Sequence, residues 1–84
     1  MAIPVALIDA LEAAAAAWKA EGEQPEWDAQ MRACYALDAE DLMDAVRWLR
    51  EGHPDRAAHT LSLVDTIVRE EVPPALWGML FKDD

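Results

Sequence analysis

The sequence has few of the features that would suggest secretion or a membrane. Cys34 is the one cysteine among 84 residues, so no intramolecular disulfide can form, which fits a reducing cytosol. No stretch approaches the roughly 20 apolar residues that a membrane-spanning helix needs. The apolar N-terminal stretch has no basic n-region and is interrupted by Asp9 and Glu12, which is not typical of a signal peptide. We therefore expect a soluble, cytoplasmic protein with no membrane partner.

Positive charge is also scarce. Seven Lys and Arg residues stand against seventeen Asp and Glu residues, which gives a net charge of −10 at pH 7. A small soluble domain usually carries roughly 2 to 8 units. Nucleic acid and anionic membranes both require a basic face, so we expect neither as a direct ligand. The excess of negative charge favours a basic surface on another protein as the partner. An alternative is that the acids only keep an apolar chain in solution.

Motifs that would indicate catalysis or metal binding are missing. The sequence has no glycine-rich phosphate loop, no Ser/His/Asp set and no cysteine cluster. Cys34 with His53 or His59 is the one nucleophile–base pair, and Cys34 lies on a helix face that we assign to the core. Asp55 and His59 have a spacing that can hold a metal with two further ligands, which no nearby cluster supplies. We expect no enzyme activity, no cofactor and no metal.

Hydrophobic periodicity predicts one all-α domain over residues 1–84, organised around a helix at 54–72. Apolar positions cover more than half of the circumference of this helix, well above the stripe of about 100° on an ordinary surface helix. Such a helix needs more than one neighbour, so we expect it at the centre of the domain. Its apolar positions are Ala57, Ala58, Leu61, Leu63, Val64, Ile67, Val68 and Val72.

Prolines, glycines and one aspartate set the predicted helix boundaries. Prolines mark helix starts, Gly22 and Gly52 mark helix ends, and Asp38 is expected to be an N-cap. The short connections favour a small antiparallel four-helix bundle, with a short fifth helix at the C-terminus that closes one end. The four main helices are predicted over residues 4–21, 26–37, 39–51 and 54–72, and the fifth over 74–81. The faces expected to be buried are Leu7, Leu11, Ala14 and Trp18 on the first helix, Trp27, Met31 and Cys34 on the second, and Leu42, Ala45, Val46 and Leu49 on the third.

Two acidic clusters and two tryptophans are the candidate partner-binding residues. Trp48 lies at the margin of the apolar stripe of its helix, on the edge shared with Asp41 and Asp44. An aromatic residue bordered by acids is typical of an anchor for a basic surface. Each feature also has a plain structural explanation: the acids can be solvated helix starts, and the tryptophans can close seams of the core. The candidates are Glu23, Glu26, Asp38, Glu40, Asp41, Asp44, Trp48 and Trp77.

Two functions fit these observations. The first is a non-enzymatic protein that binds and inhibits a basic, nucleic-acid-handling protein. In size and charge the chain resembles inhibitors carried by phages and mobile elements, including anti-CRISPR proteins, and this resemblance implies that its carboxylates mimic nucleic-acid phosphates. The alternative is a helical adaptor or regulatory subunit that docks to a larger enzyme through its apolar C-terminal segment, with Leu76, Trp77, Leu80 and Phe81. A homodimer would also fit, because a chain of this length buries a modest core.

Overall fold

The regular structure of the protein is helical throughout the part of the chain that the computed structural model describes, residues 2–81. The helices are α1 Val5–Gly22, α2 Ala29–Arg50, α3 Pro54–Ser62, α4 Thr66–Arg69 and α5 Pro74–Leu80. The two long helices, α1 and α2, pack along each other, α3 packs on α2, and α5 contacts both α3 and α1. The all-α class is therefore confirmed, but the antiparallel four-helix bundle is not, because the C-terminal part consists of three short helices.

The predicted second and third helices form a single helix, α2. Its N-cap is Asp28, whose carboxylate accepts a hydrogen bond from the Met31 backbone N–H at 2.8 Å. No glycine or proline interrupts the chain between there and Gly52, and the alanines, leucines and methionines of this stretch favour a helix. Asp38 therefore lies inside α2, and its predicted role as an N-cap is wrong. Gly52, with a φ of 82°, follows the end of the helix as expected.

The predicted central helix at 54–72 is also wrong, because it breaks after Ser62. Ser, Thr and Asp side chains compete for nearby backbone groups, which favours turns and helix ends over helix interiors. The Ser62 hydroxyl donates to the His59 carbonyl oxygen at 2.6 Å, and Arg69 donates to the Ser62 carbonyl oxygen at 3.0 Å. Asp65 is extended and precedes the single turn of α4. The chain thus changes direction where apolar periodicity predicts a continuous helix.

This break changes which apolar side chains are buried. Leu63 and Ile67 were expected to widen the buried face, but they are 69% and 67% exposed, because the turn directs them away from the core. The residues along the middle of the apolar face of the predicted helix are buried nonetheless. The buried core comprises Ile8, Leu11 and Ala15 of α1, Leu42, Ala45, Val46 and Leu49 of α2, Ala57 and Leu61 of α3, and Val64, Val68, Val72 and Leu76 further along the chain.

Contacts at two points fix how α1 lies on α2. Gly22 is the last residue of α1 rather than the predicted C′ residue, and it is buried so tightly that an added Cβ would collide with the Cβ of Tyr35. Near the other ends of the two helices, Arg50 binds Glu12 with two hydrogen bonds, of 2.9 and 3.0 Å, and Asp9 with a third of 3.2 Å. The guanidinium of Arg50 lowers the pKa of Glu12 by this hydrogen bonding and by its charge. The two helices are therefore antiparallel.

The start of α2 extends past the end of α1. Since α1 ends opposite Tyr35, the preceding turns of α2 lie beyond the end of α1. Met31 and Cys34, which we expected in the core, are accordingly exposed, and Trp27 is half-buried. None of the helices within residues 2–81 combines the length and the apolar character needed to cross a bilayer.

Candidate functional site

Four carboxylates of α2 and one from the turn after α3 are near enough for their charges to affect one another. The pKa of Asp38 is raised, first by partial burial and then by the charges of Asp65 and Asp41. The pKa of Asp41 is raised by partial burial and then by the charges of Asp44 and Glu40. We call these five residues the acidic face. At neutral pH the face holds like charges near one another, which raises its free energy in the isolated protein.

Trp18 of α1 lies against one edge of the acidic face. Its indole nitrogen Nε1 is buried and has no hydrogen-bond partner among the described residues. The indole N–H nevertheless lies near enough to the Asp38 carboxylate to lower the pKa of Asp38, against the larger effect of burial. The indole N–H dipole thus offsets part of the repulsion between Asp38 and its neighbouring carboxylates. It does so without meeting the distance and angle of a hydrogen bond.

Two arginines of α2 form ion pairs, and one of these pairs involves an acid of the acidic face. Arg47 contacts Asp44 at 3.5 Å, and Arg50 joins α2 to α1. The ion pairs within residues 2–81 are those of Arg47 with Asp44 and of Arg50 with Asp9 and Glu12. Four residues of the acidic face consequently form no ion pair with another described residue: Asp38, Glu40, Asp41 and Asp65.

The acidic face borders an apolar groove between α1 and α2. The groove has a volume of about 490 Å³, and Glu40 and Asp44 stand at its edge together with Lys19 and Met43. Its floor is made of small side chains, which leave the two helices close together and the groove shallow. These floor residues are Ala15, Ala16, Ala36 and Ala39.

Basic side chains lie over the ring of Trp48. The guanidinium carbons of Arg47 and Arg56 lie 5.1 and 4.8 Å from the centroid of its ring, and His53 contacts it edge-on at 5.8 Å. The ring is half-buried against the core. Two guanidinium groups therefore lie over the Trp48 ring. Its role in partner binding stays a prediction.

Trp77 and the C-terminal segment belong to the core. The ring of Trp77 stacks on Phe81 at 4.1 Å between centroids, and the guanidinium of Arg69 lies 5.6 Å from its centroid. Leu76 is fully buried, and Trp77, Leu80 and Phe81 are partly buried against the core. Partner binding by Trp77 also stays a prediction.

The two remaining candidates, Glu23 and Glu26, lie in the turn between α1 and α2. Both are exposed, and Glu23 lines a separate pocket of about 250 Å³ with Lys19 and Arg32. The structure therefore brings together four of the eight candidates and adds Asp65 to them. Asp65 is remote in sequence, and only the turn after α3 brings it to the group. No signal in the sequence marks that position.

A row of three aromatic residues was also missed by sequence reasoning. Trp18 and Tyr35 have ring centroids 4.8 Å apart, and Tyr35 stacks on Trp27 at 5.6 Å. The Trp27 indole N–H donates to the backbone carbonyl oxygen of Glu21 at 2.8 Å, which fixes the outer end of the row. We call the adjoining cavity, of about 380 Å³, the aromatic pocket; it is lined by Ala17, Trp18, Glu21, Tyr35, Ile67 and Glu71.

The structure shows no arrangement for metal chemistry among residues 2–81. No group of three or more His, Cys, Asp or Glu side chains in that range is placed to hold a metal ion. Comparison of the chain with protein-family models, with curated proteins and with solved structures found no match. A functional hypothesis for this protein therefore depends on its own geometry and charge.

Proposed function

We propose that this protein is a non-enzymatic binding protein whose acidic face docks on a basic surface of another protein. The observation that carries the proposal is that the acids of the acidic face have carboxylates as neighbours, while Asp38, Glu40, Asp41 and Asp65 form no ion pair with another residue of the part of the chain described. A cationic surface brought against these groups would replace like-charge repulsion with attraction.

The groove beside the acidic face supports the same reading. Lys and Arg side chains bury their aliphatic stems on apolar surface while their charged ends stay with polar partners. The alanine floor of the groove offers such a surface, and Glu40 and Asp44 stand at its edge to meet the charged ends. A basic partner would thus gain both apolar contact and ion pairing at one place.

The class of partner follows from what basic protein surfaces commonly do. A surface rich in Lys and Arg is the usual footprint of a nucleic-acid-binding protein. A protein that covered such a surface would exclude the nucleic acid, so we propose inhibition as the consequence of binding, in the manner of phage and mobile-element inhibitors. A cytoplasmic location is part of this proposal.

Affinity co-purification from the native host, with bound proteins identified by mass, tests the proposal. Wild-type protein is compared with an acidic-face variant carrying Asp38→Asn, Asp41→Asn and Asp65→Asn. A control variant carries Glu26→Gln, Glu51→Gln and Glu70→Gln, three exposed positions outside the acidic face. Both variants remove three negative charges, so net charge alone cannot separate them.

The expected result is that a basic, nucleic-acid-binding protein co-purifies with the wild type and the control variant but not with the acidic-face variant. The captured protein should also lose its nucleic acid when the wild type is added. Equal capture by both variants would contradict the proposed surface. Capture without displacement of nucleic acid would contradict the proposed inhibition.

A further inference from the structure

The apolar groove between α1 and α2 continues beyond its alanine floor. Lys19 and Ala36 line both this groove and the neighbouring pocket of about 250 Å³, so the two cavities adjoin. We call the two together the extended groove. It follows α2 from Arg32 to Asp44, a length of about 18 Å at about 1.5 Å per residue. This length is more than one side chain can fill, and it matches about three turns of a helix.

The extended groove is open to solvent in the part of the chain that the structure describes. Ala16, Ala36 and Met43 line it and are exposed. Ala15 and Ala39, which line it as well, are buried. The distance between packed helices depends on the side chains at their contact, so a surface of alanines lets another helix approach closely. A helix lying along α1 and α2 would therefore bury these methyl groups and the Met43 side chain.

Charge is unevenly distributed along the extended groove. Glu40 and Asp44 lie at one end, and Glu40 forms no ion pair with another described residue. Lys19 lies midway, and Arg32 lies at the other end beside Glu23. The negative end is thus the end that belongs to the acidic face. Basic side chains on a bound helix would be complementary to the groove at that end.

We infer that the extended groove receives an amphipathic α-helix of the basic partner, which lies along α1 and α2 with its apolar side chains on the alanines and its basic side chains at the Glu40 end. This inference rests on the proposed function, because it names the element by which the partner is held. An amphipathic helix in an apolar groove is a common mode of peptide recognition. A second copy of this chain fits less well, because each copy carries a net charge of −10.

The test uses an acetylated and amidated 18-residue peptide of alanine, leucine, glutamine and arginine, with apolar residues at helical spacing and all arginines in one half. A second peptide has the same composition and the same arginine half, but its apolar residues share no helix face. Each is titrated at low salt into protein with ¹³C-labelled methionine methyl groups, and the methyl resonances are followed by NMR.

Two methionines give the position-specific signal. Met43 lines the groove, whereas Met79 lies in α5 and lines neither part of it. Met43→Leu assigns the Met43 resonance. We expect the amphipathic peptide to shift the Met43 resonance more than that of Met79, and to bind about fivefold more tightly than the second peptide.

Two alanine substitutions of equal size separate the groove from general electrostatic attraction. Ala36→Leu fills the middle of the extended groove and should weaken binding of the amphipathic peptide by about tenfold. Ala10→Leu makes the same change at an exposed position of α1 outside the groove and should change binding less than twofold. Because Ala10 and Ala36 are both exposed, both variants should keep the melting temperature of the wild type.

A charge variant tests the Glu40 end. Glu40→Gln should weaken binding of the amphipathic peptide by about twofold to fivefold, since one exposed ion pair is lost. Glu26→Gln removes the same charge at an exposed position outside the groove and should have a smaller effect. Equal effects would contradict the placement of the basic side chains at the Glu40 end.

The inference is overturned if the amphipathic peptide leaves the Met43 resonance unmoved, if the two peptides bind equally, or if Ala36→Leu and Ala10→Leu have the same effect. It is also overturned if sedimentation shows a dimer of the free protein that Ala36→Leu dissociates, because a second copy then fills the groove. Each of these results leaves the proposed function standing when the wild type still captures a basic partner and the acidic-face variant does not. Equal capture by the acidic-face and control variants overturns the proposed function instead, whatever the peptides show.

Discussion

Asp65, the residue before α4, raises the pKa of Asp38 in the middle of α2, although the whole of α3 separates them in sequence. The turn after Ser62 brings the two carboxylates together. The acidic face therefore combines an acidic stretch of α2 with one carboxylate that the tertiary fold brings to it. Its energetic consequences can be measured without knowing the partner.

The first prediction concerns pH. The raised pKa of Asp38 means that the folded protein binds this proton more tightly than the unfolded chain does. The stabilisation from protonated Asp38 is therefore complete below the ordinary aspartate pKa of about 3.9 and is lost as pH rises through the raised value. Asp38→Asn removes the charge. The variant should be more stable than the wild type at pH 7, by a few tenths of a kcal/mol, and the difference should shrink toward zero at pH 3.

Thermal denaturation followed by circular dichroism at the two pH values measures this difference. Glu26→Gln removes one charge at an exposed turn position and serves as the control. A gain in stability from Asp38→Asn that is the same at pH 3 and pH 7 would show that repulsion at the acidic face is not its cause.

The second prediction has the opposite dependence on pH. The Arg50 guanidinium lowers the pKa of Glu12. The stabilisation from this ion pair is therefore present above the ordinary glutamate pKa of about 4.3 and is lost as pH falls through the lowered value. Arg50→Met keeps an apolar stem but removes three hydrogen bonds to α1. We expect a small drop in melting temperature at pH 7, because exposed ion pairs contribute little. The drop should diminish in acid and in high salt, and a drop that grows in acid would be inconsistent with this pairing.

The third prediction concerns two glycines. Gly22→Ala places a Cβ against Tyr35 and should destabilise the protein by about 1–3 kcal/mol, as overpacking does. Gly78→Ala, inside α5, meets no atom within 4 Å and should stabilise the protein by up to about 1 kcal/mol through helix propensity. Urea denaturation measures both free energies of unfolding. Equal effects would mean that α1 does not approach α2 closely at Gly22.

The fourth prediction tests the break after α3. Leu61 is fully buried, whereas Leu63 is 69% exposed. Leu61→Ala should destabilise the protein by about 2–5 kcal/mol, and Leu63→Ala by less than about 0.5 kcal/mol. A continuous helix with a wide buried face would make both substitutions severe. Urea denaturation of the two variants thus distinguishes the two arrangements.

Some of this fold could be predicted from the sequence, and the reason is the spacing of apolar residues. Leu42, Ala45, Val46 and Leu49 were predicted to be buried on one helix face and are buried, and Ala57 and Leu61 also follow helical spacing. Apolar periodicity does not predict the break after Ser62, because it takes no account of the preference of Ser, Asp and Thr for turns. The N-cap at Asp28 could have been found, since the next interruption of the helix is Gly52.

The candidate site could be predicted only where its residues are neighbours in sequence. Asp38, Glu40, Asp41 and Asp44 lie on successive turns of one helix, so their grouping needs no knowledge of the fold. The contribution of Asp65 and the meeting of Trp18 with Tyr35 depend on how α1, α2 and the segment after α3 pack. The cover of Trp48 by Arg56 likewise depends on the packing of α3 on α2. A single sequence carries no signal for such contacts.

The most direct measurement is the affinity of the co-purified host protein for three purified proteins, determined by calorimetry at moderate salt. They are the wild type, the acidic-face variant and the control variant. Three exposed ion pairs lost together should weaken binding by about tenfold or more in the acidic-face variant, while the control variant stays within about twofold of the wild type. Equal weakening in both variants would mean that net charge governs the interaction, and that the carboxylates gathered around Asp38 are not the binding surface.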